Sequence, residues 1–362
     1  MLDLPMGPDL PVIHGRGAAS NPPNRFESLR FERDPDAPPP LDPEDDVAPR
    51  TRFLVDPART IVSTNESPDV GFEASVNPYR GCEHGCAYCY ARPTHEYLGM
   101  SAGLDFETRI LVKPNAPELL RRELTAPGWR PKVIALSGVT DCYQPVERHL
   151  KLTRRCLEVL AELRNPAVIV TKNHLVTRDA DVLADLARHG AIAVNVSVTT
   201  LDDGLCGAME PRTSRPHRRL EAIEALARAG IPVGALVAPV IPGLTDREVP
   251  AIVAAVARAG ARWARSVMLR LPYGLKDLFE DWLERKFPER KEKVLARIRE
   301  VRGGKLNDTR FGVRFRGEGE YARQIEGLFA AACARAGLKD EAFPELSTRA
   351  FRRPGGSQLS LF

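Results

Sequence analysis

Three of the chain's seven cysteines, Cys82, Cys86 and Cys89, fall within one stretch, NPYRGCEHGCAYCYARPTHEY, residues 77–97. With three and two residues between them, all three thiolates can point inward from a single tight loop, and Gly81 and Gly85 ease its turns. Two metal chemistries follow. One is structural zinc, with His84 or His95 as the fourth ligand. The other is a [4Fe–4S] cluster, which four thiolates ordinarily hold. With three, one iron stays open to an exchangeable ligand, the arrangement a catalytic metal needs.

The elements that must position this loop are legible from periodicity. VIALSG (133–138), AVIVTK (167–172), AIAVNVSV (191–198), IPVGALVAPV (231–240) and SVMLRLP (266–272) read as buried strands. Helical patterns separate them, closed by Gly190 and Gly230 and ending near Gly260. With one strand just before the cysteines, the series predicts six strand–helix units and a parallel sheet. The fold class expected is α/β, a partial (β/α)6 TIM-type barrel over residues 61–275. Residues 1–60, rich in proline and acids, read as an irregular, partly disordered N-terminal segment. Residues 276–345 read as a helical C-terminal extension, and 346–362 as a flexible tail.

The chain of 362 residues buries a full core, and its net charge of +4 is mild. Arginine dominates the basic residues, which suits phosphate and carboxylate contacts but supports nucleic-acid binding only weakly. No apolar run approaches the ~18 residues that span a bilayer, and the N-terminus lacks the basic start and apolar core of a signal peptide. The expectation is a cytoplasmic protein with no membrane partner, whose clustered cysteines are ligands or catalysts instead of disulfides.

In barrels of this kind chemistry gathers at the C-terminal ends of the strands. There this sequence keeps Thr140 and Asp141, Lys172 and Asn173, Asn195 and Ser197, and Glu210 and Arg212. C-x3-C-x2-C, with Tyr88 just before its third cysteine, resembles the signature of the radical SAM superfamily. The resemblance implies that Cys82, Cys86 and Cys89 hold a [4Fe–4S] cluster whose open iron is chelated by S-adenosylmethionine. It implies further that an electron, from a donor such as flavodoxin or ferredoxin, cleaves the sulfonium to methionine and a 5′-deoxyadenosyl radical. Carried over residue by residue, it puts Tyr88 beside the adenine and Thr140 and Asp141 near the cofactor's amino group. SGVTD stands there in place of the usual GGE. Lys172 is then expected at the cofactor carboxylate, with Asn195 and Ser197 at ribose and carboxylate.

SGVTDCYQPVE, VTKNHLVTRD, SVTTLDD, MEPRTSRPHRRLEAI and VAPVIPGLTD together resemble a bacterial radical SAM subfamily similar to spore photoproduct lyase. That lyase repairs a thymine dimer and uses a cysteine at the end of its second strand as hydrogen donor. The matching place here is Gly138, and Cys142, four residues on, is the candidate substitute. The expected function is a lyase-like repair or modification of DNA or a nucleotide. The alternatives are a radical enzyme on RNA, protein or a small metabolite, or a non-enzymatic zinc-stapled adaptor. Arg212, Arg215, Arg218 and Arg219, just past the fourth strand, could position phosphates. The chain ends in QLSLF behind a Gly-Gly hinge. Gln358, Leu359, Leu361 and Phe362 resemble the hook by which bacterial polymerases and repair proteins bind the DNA sliding clamp.

Overall fold

The computed structural model describes residues 15–26, 50–340 and 344–353. The QLSLF hook lies outside them. Strands β1 (Arg52–Val55), β4 (Tyr79–Arg80) and β5 (Arg109–Val112) make a small sheet in the order β1-β5-β4. The large sheet runs β11-β10-β9-β8-β7-β6-β3-β2. Its members are β2 (Val62–Thr64), β3 (Ala74–Val76), β6 (Ile134–Leu136), β7 (Ala167–Thr171), β8 (Ile192–Ser197), β9 (Val233–Val240), β10 (Trp263–Met268) and β11 (Lys339–Asp340). From β3 to β10 all neighbours pair in parallel and in chain order, the winding of a part-barrel. Within this sheet, among the described residues, β2 alone is antiparallel, capping one edge.

Helices α1 (Leu104–Thr108), α2 (Ala116–Thr125) and α3 (Glu147–Leu150) lie between β3 and α4 in the chain. The crossovers that follow carry α4 (Leu152–Leu163), α5 (Ala180–Arg188), α6 (Asp203–Met209), α7 (Pro216–Arg228) and α8 (Val249–Arg258). Apolar residues of α4, α5, α7 and α8 bury against the outer faces of the strands in one continuous core. Inside the barrel the pleat turns Ala135, Val168 and Ala193 inward, and Trp263 fills the space between them with Leu346. Gly234 makes that possible, because a Cβ there would lie 2.2 Å from the Trp263 ring. The far end of the barrel is thus plugged, and the opposite end is left for chemistry.

The six expected parallel strands are all present. The last spans Trp263–Met268, beginning three residues before the expected SVMLRLP; at its end the Met268 amide donates to the Phe315 carbonyl and the Leu269 amide to Val240 of β9. The C-terminal part divides between two places. α9 (Leu275–Lys286) and α10 (Lys291–Glu300) pack with Cys86, Ala87 and Tyr88 near the site. α11 (Gly319–Ala336) lies beside α8 and leads into β11, so the extension also adds a strand to the sheet. Residues 346–353, the start of the expected flexible tail, are docked. The Ser347 amide donates to Gly190, the Arg352 amide to Leu163 and the Arg353 guanidinium to Trp129.

Candidate active site

The cysteine loop leaves β3 and is held from both sides. Arg92, fully buried, donates from Nε and Nη2 to the Cys86 carbonyl at 3.0 and 2.9 Å. The same guanidinium pairs with the buried carboxylate of Glu107. Glu107 also accepts the backbone N–H of Gly17 at 3.1 Å and of Ala18 at 2.8 Å. The N-terminal residues 15–26 therefore form a strap over the loop. Contact is so close that a Cβ on Gly17 would sit 1.8 Å from the Gly85 carbonyl oxygen.

Within the loop Cys82 and Cys86 are buried and Cys89 is half-buried, in a lining that includes Ala91, Phe106 and Val139. Burial pushes the Cys86 thiol well above its ordinary value, and Glu210 adds to the effect. Burial and the neighbouring Cys82 lift Cys89 to about 11. Thiolates here need a compensating cation, and soft sulfur donors in an apolar cradle suit iron–sulfur ligation. Among the described residues no three His, Cys, Asp or Glu side chains converge tightly enough for a single metal ion. His84 and His95, the candidate fourth zinc ligands, carry other contacts. His84 Nδ1 lies 3.3 Å from Asp141 Oδ2, and His95 Nε2 donates to the Arg109 carbonyl at 2.9 Å. Burial opposes the charge on His84, but Asp141 and Cys82 outweigh it and raise its pKa to about 10.

Two carboxylates organise the rest. Asp141 follows β6 and accepts at both oxygens. Oδ1 takes the Tyr143 amide at 2.9 Å and the Thr171 hydroxyl at 2.8 Å, and Oδ2 takes the Lys172 amide at 2.8 Å besides His84. A carboxylate offers about four such acceptor directions, so Asp141 is filled by the protein itself. This corrects the expectation that it binds the cofactor's amino group: it is a positioning residue tying β6, β7 and the cysteine loop together. Burial works against its charge, yet His84 and these donors hold it below the ordinary aspartate value.

Glu210, one of the polar residues the sequence places where barrel chemistry gathers, caps the end of α6 and is the second hub. It accepts from the Tyr88 hydroxyl, from Thr199 at 2.7 Å and from the buried Arg219. Burial raises its pKa despite Arg219. Lys172 Nζ lies 3.9 Å from Glu210, 3.3 Å from the Ala238 carbonyl and 5.9 Å from the Tyr88 ring centre. Burial lowers the Lys172 pKa, while the Cys86 and Cys89 thiols pull it back up. The structure thus brings Tyr88 and Lys172 together beside the cysteines.

Other expected site residues fall elsewhere. Asn195 is turned into the barrel, where its Oδ1 accepts Trp263 Nε1–H at 2.8 Å, so it plugs the barrel instead of facing a ribose. Ser197 ends β8 buried in the same inward phase as Ala193 and Asn195, its carbonyl accepting Arg219 at 3.1 Å. Thr140 is buried with its hydroxyl on the Tyr79 carbonyl. Cys142 is fully buried in the layer between sheet and helices, its sulfur 3.9 Å from the Leu136 carbonyl. Shut off from the barrel mouth, it cannot serve as the hydrogen donor proposed for it.

The arginine run divides too. Arg219 is a core residue, so its assignment to phosphates is corrected; it sits on the same α7 face as Ala222, Ile223 and Leu226, a spacing the sequence displayed. Arg212 pairs with Glu83 at 3.1 Å, and Arg215 donates to the Asp203 carbonyl at 3.0 Å. Arg218 stays at the surface, pairing with Glu221 and lining a cavity of about 310 Å³ with Arg148, His174 and Arg178.

Comparison with known proteins agrees with this architecture. Residues 76–256 match the family described as Radical SAM superfamily. An uncharacterised protein of Mycobacterium tuberculosis is 38% identical over 232 residues, 64% of this chain and 67% of its own length. Spore photoproduct lyase of Bacillus subtilis is 28% identical over 167 residues, 44% of this chain and 43% of the lyase. A solved spore photoproduct lyase variant with bound AdoMet and dinucleoside spore photoproduct superposes at a TM-score of 0.58. It is 18% identical and covers 81% of this chain and 82% of that one, which shows a shared fold.

Proposed function

This chain belongs to the radical SAM superfamily, and from that premise we propose that it is a [4Fe–4S] enzyme performing a lyase-like repair or modification of DNA or a nucleotide. The observation that carries the reading is the cysteine loop, with Cys82 and Cys86 buried and Cys89 half-buried, whose Cys86 and Cys89 stand near Lys172 beside the Tyr88 ring. When bound, the cluster and S-adenosylmethionine supply a 5′-deoxyadenosyl radical; the chain's own residues must aim it and keep water out. Tyr88, pinned by Glu210, offers an aromatic wall beside the third ligand. Lys172 offers a cation suited to a carboxylate, held in range by the Ala238 carbonyl. Arg92, paired with Glu107, holds the loop's backbone at the Cys86 carbonyl.

The DNA reading is supported by the fold shared with spore photoproduct lyase and by the Arg148, Arg178 and Arg218 cavity beside the site. The lyase's donor cysteine has no counterpart at Gly138 or in the buried Cys142, which favours a reaction other than thymine-dimer repair. Among the described residues no helix is long and apolar enough to cross a membrane. The reading includes a cytoplasmic location, a flavodoxin- or ferredoxin-type electron donor, and recruitment to the sliding clamp through residues 358–362. A pull-down in which deleting those five residues leaves clamp binding intact would remove the last of these. The enzyme reading is tested anaerobically: protein reconstituted with iron and sulfide, reduced with dithionite and given S-adenosylmethionine should release 5′-deoxyadenosine. Tightly bound zinc with no product would overturn it.

A further inference from the structure

Large aromatic side chains stand half-exposed along one side of the barrel mouth, each with a guanidinium over its ring. Tyr90 follows the third cysteine, is 50% exposed, and donates its hydroxyl to the Gly138 carbonyl at 2.6 Å. The Arg270 guanidinium lies over its ring at 5.4 Å and over Phe315 at 5.0 Å. Arg314 continues the series over Phe315 at 5.0 Å and over Phe311, itself 58% exposed, at 4.5 Å. Three residues beyond Arg270, Tyr273 carries the Arg25 guanidinium 3.7 Å from its ring centre, and Arg25 also covers Tyr97, which is 70% exposed.

The cations differ in how they are satisfied. Arg25 pairs with Glu96 at 3.0 Å and Arg314 with Asp69. Arg270 has no carboxylate within ion-pair distance among the described residues, and its buried Nε has no hydrogen-bond partner. A guanidinium between two rings, with no carboxylate at ion-pair distance among the described residues, suits an anion attached to a flat apolar group. The scaffold is fixed, since the Met268 amide donates to the Phe315 carbonyl at 2.8 Å and the Gly312 amide to Asp69 at 2.7 Å.

We propose that this aromatic–guanidinium rim is a binding track for unpaired DNA bases, with Arg270 taking a backbone phosphate and Tyr90, Tyr273 and Phe311 offering faces for stacking. The inference rests on the nucleic-acid reading above and sharpens it: bases stacked within a duplex cannot also stack on these rings, so the strand engaged is single or locally opened.

The test is fluorescence anisotropy on the full chain with a short labelled DNA single strand and the duplex of the same sequence, over a range of salt. Wild type should bind the single strand more tightly. Arg270→Met should weaken it about tenfold and reduce the salt slope by about one. Tyr273→Ala with Phe311→Ala should weaken it about tenfold or more with the slope unchanged. Circular dichroism should show the variants folded. Duplex preference, or folded variants binding like wild type, would overturn the rim while leaving the nucleic-acid reading standing. A wild-type chain that binds neither DNA would overturn both.

Discussion

Asp141 and Glu210 are both buried carboxylates at the mouth of the same part-barrel, and they have opposite electrostatic characters. Asp141, on the β6–β7 side, is surrounded by donors and by the His84 imidazole, and its pKa lies below the ordinary range. Glu210, on the β8–β9 side, has one strong cationic partner in Arg219, and burial lifts its pKa. The first is a strut whose oxygens are all occupied. The second holds Tyr88 and stands near Lys172, the two side chains that face the cysteines. Polar residues at strand ends therefore divide into those that build the mouth and those that aim into it. Residue type alone does not make the division; the number of donors converging on each oxygen does.

The largest expected effect lies in the clamp beneath both hubs. Arg92→Met should destabilise the protein by about 3–5 kcal/mol in urea melts, because it leaves Glu107 buried without its partner. Adding Glu107→Gln should recover part of the loss; no recovery would mean that the pair is not the clamp.

Next come the hubs themselves. Asp141→Asn should cost about 1.5–3 kcal/mol near neutral pH, the worth of a hydrogen bond to a charged group. In the cluster-free protein the two hubs should respond to pH with opposite signs. A carboxyl with a depressed folded pKa stabilises above its unfolded pKa of about 4, and this is lost as pH falls through the folded value. A carboxyl with a raised folded pKa stabilises fully below its unfolded value, and this is lost as pH rises through the folded value. The penalty of Asp141→Asn should thus shrink on acidification below about pH 4, while that of Glu210→Gln should grow as pH falls from 7. Parallel trends in urea melts would erase the distinction.

Smaller effects follow at the edges. Gly17→Ala should cost roughly 1–3 kcal/mol, the usual penalty for overpacking, and should speed proteolysis of residues 15–26 by lifting the strap off Gly85. Tyr88→Phe should cost about 1 kcal/mol, one hydrogen bond, and weaken S-adenosylmethionine binding less than Lys172→Met does. Equal or reversed effects on binding would mean that Tyr88 is the stronger cofactor contact.

Much of this was legible in the sequence. Five of the six strands announced themselves as apolar runs bounded by turns, because strands buried on both faces carry mostly apolar residues. The cysteine loop was legible because its ligands are adjacent in the chain. Arg219 was readable in principle from its helical phase, but its charge drew attention away from the spacing. Glu107 was not readable: its partners Gly17 and Ala18 lie 90 and 89 residues away, and no local pattern encodes such a meeting. Cys142 and Asn195 illustrate the same limit, since position at a strand end does not say which way a side chain turns.

The central claim is that Cys82, Cys86 and Cys89, and no other cysteine, hold the cluster. Iron and sulfide analysis with visible absorbance, after anaerobic reconstitution of wild type, Cys86→Ala and Cys142→Ala, tests it most directly. The account predicts a full [4Fe–4S] complement in wild type and Cys142→Ala and its loss in Cys86→Ala. A cluster that survives in Cys86→Ala, or disappears in a folded Cys142→Ala, would contradict it.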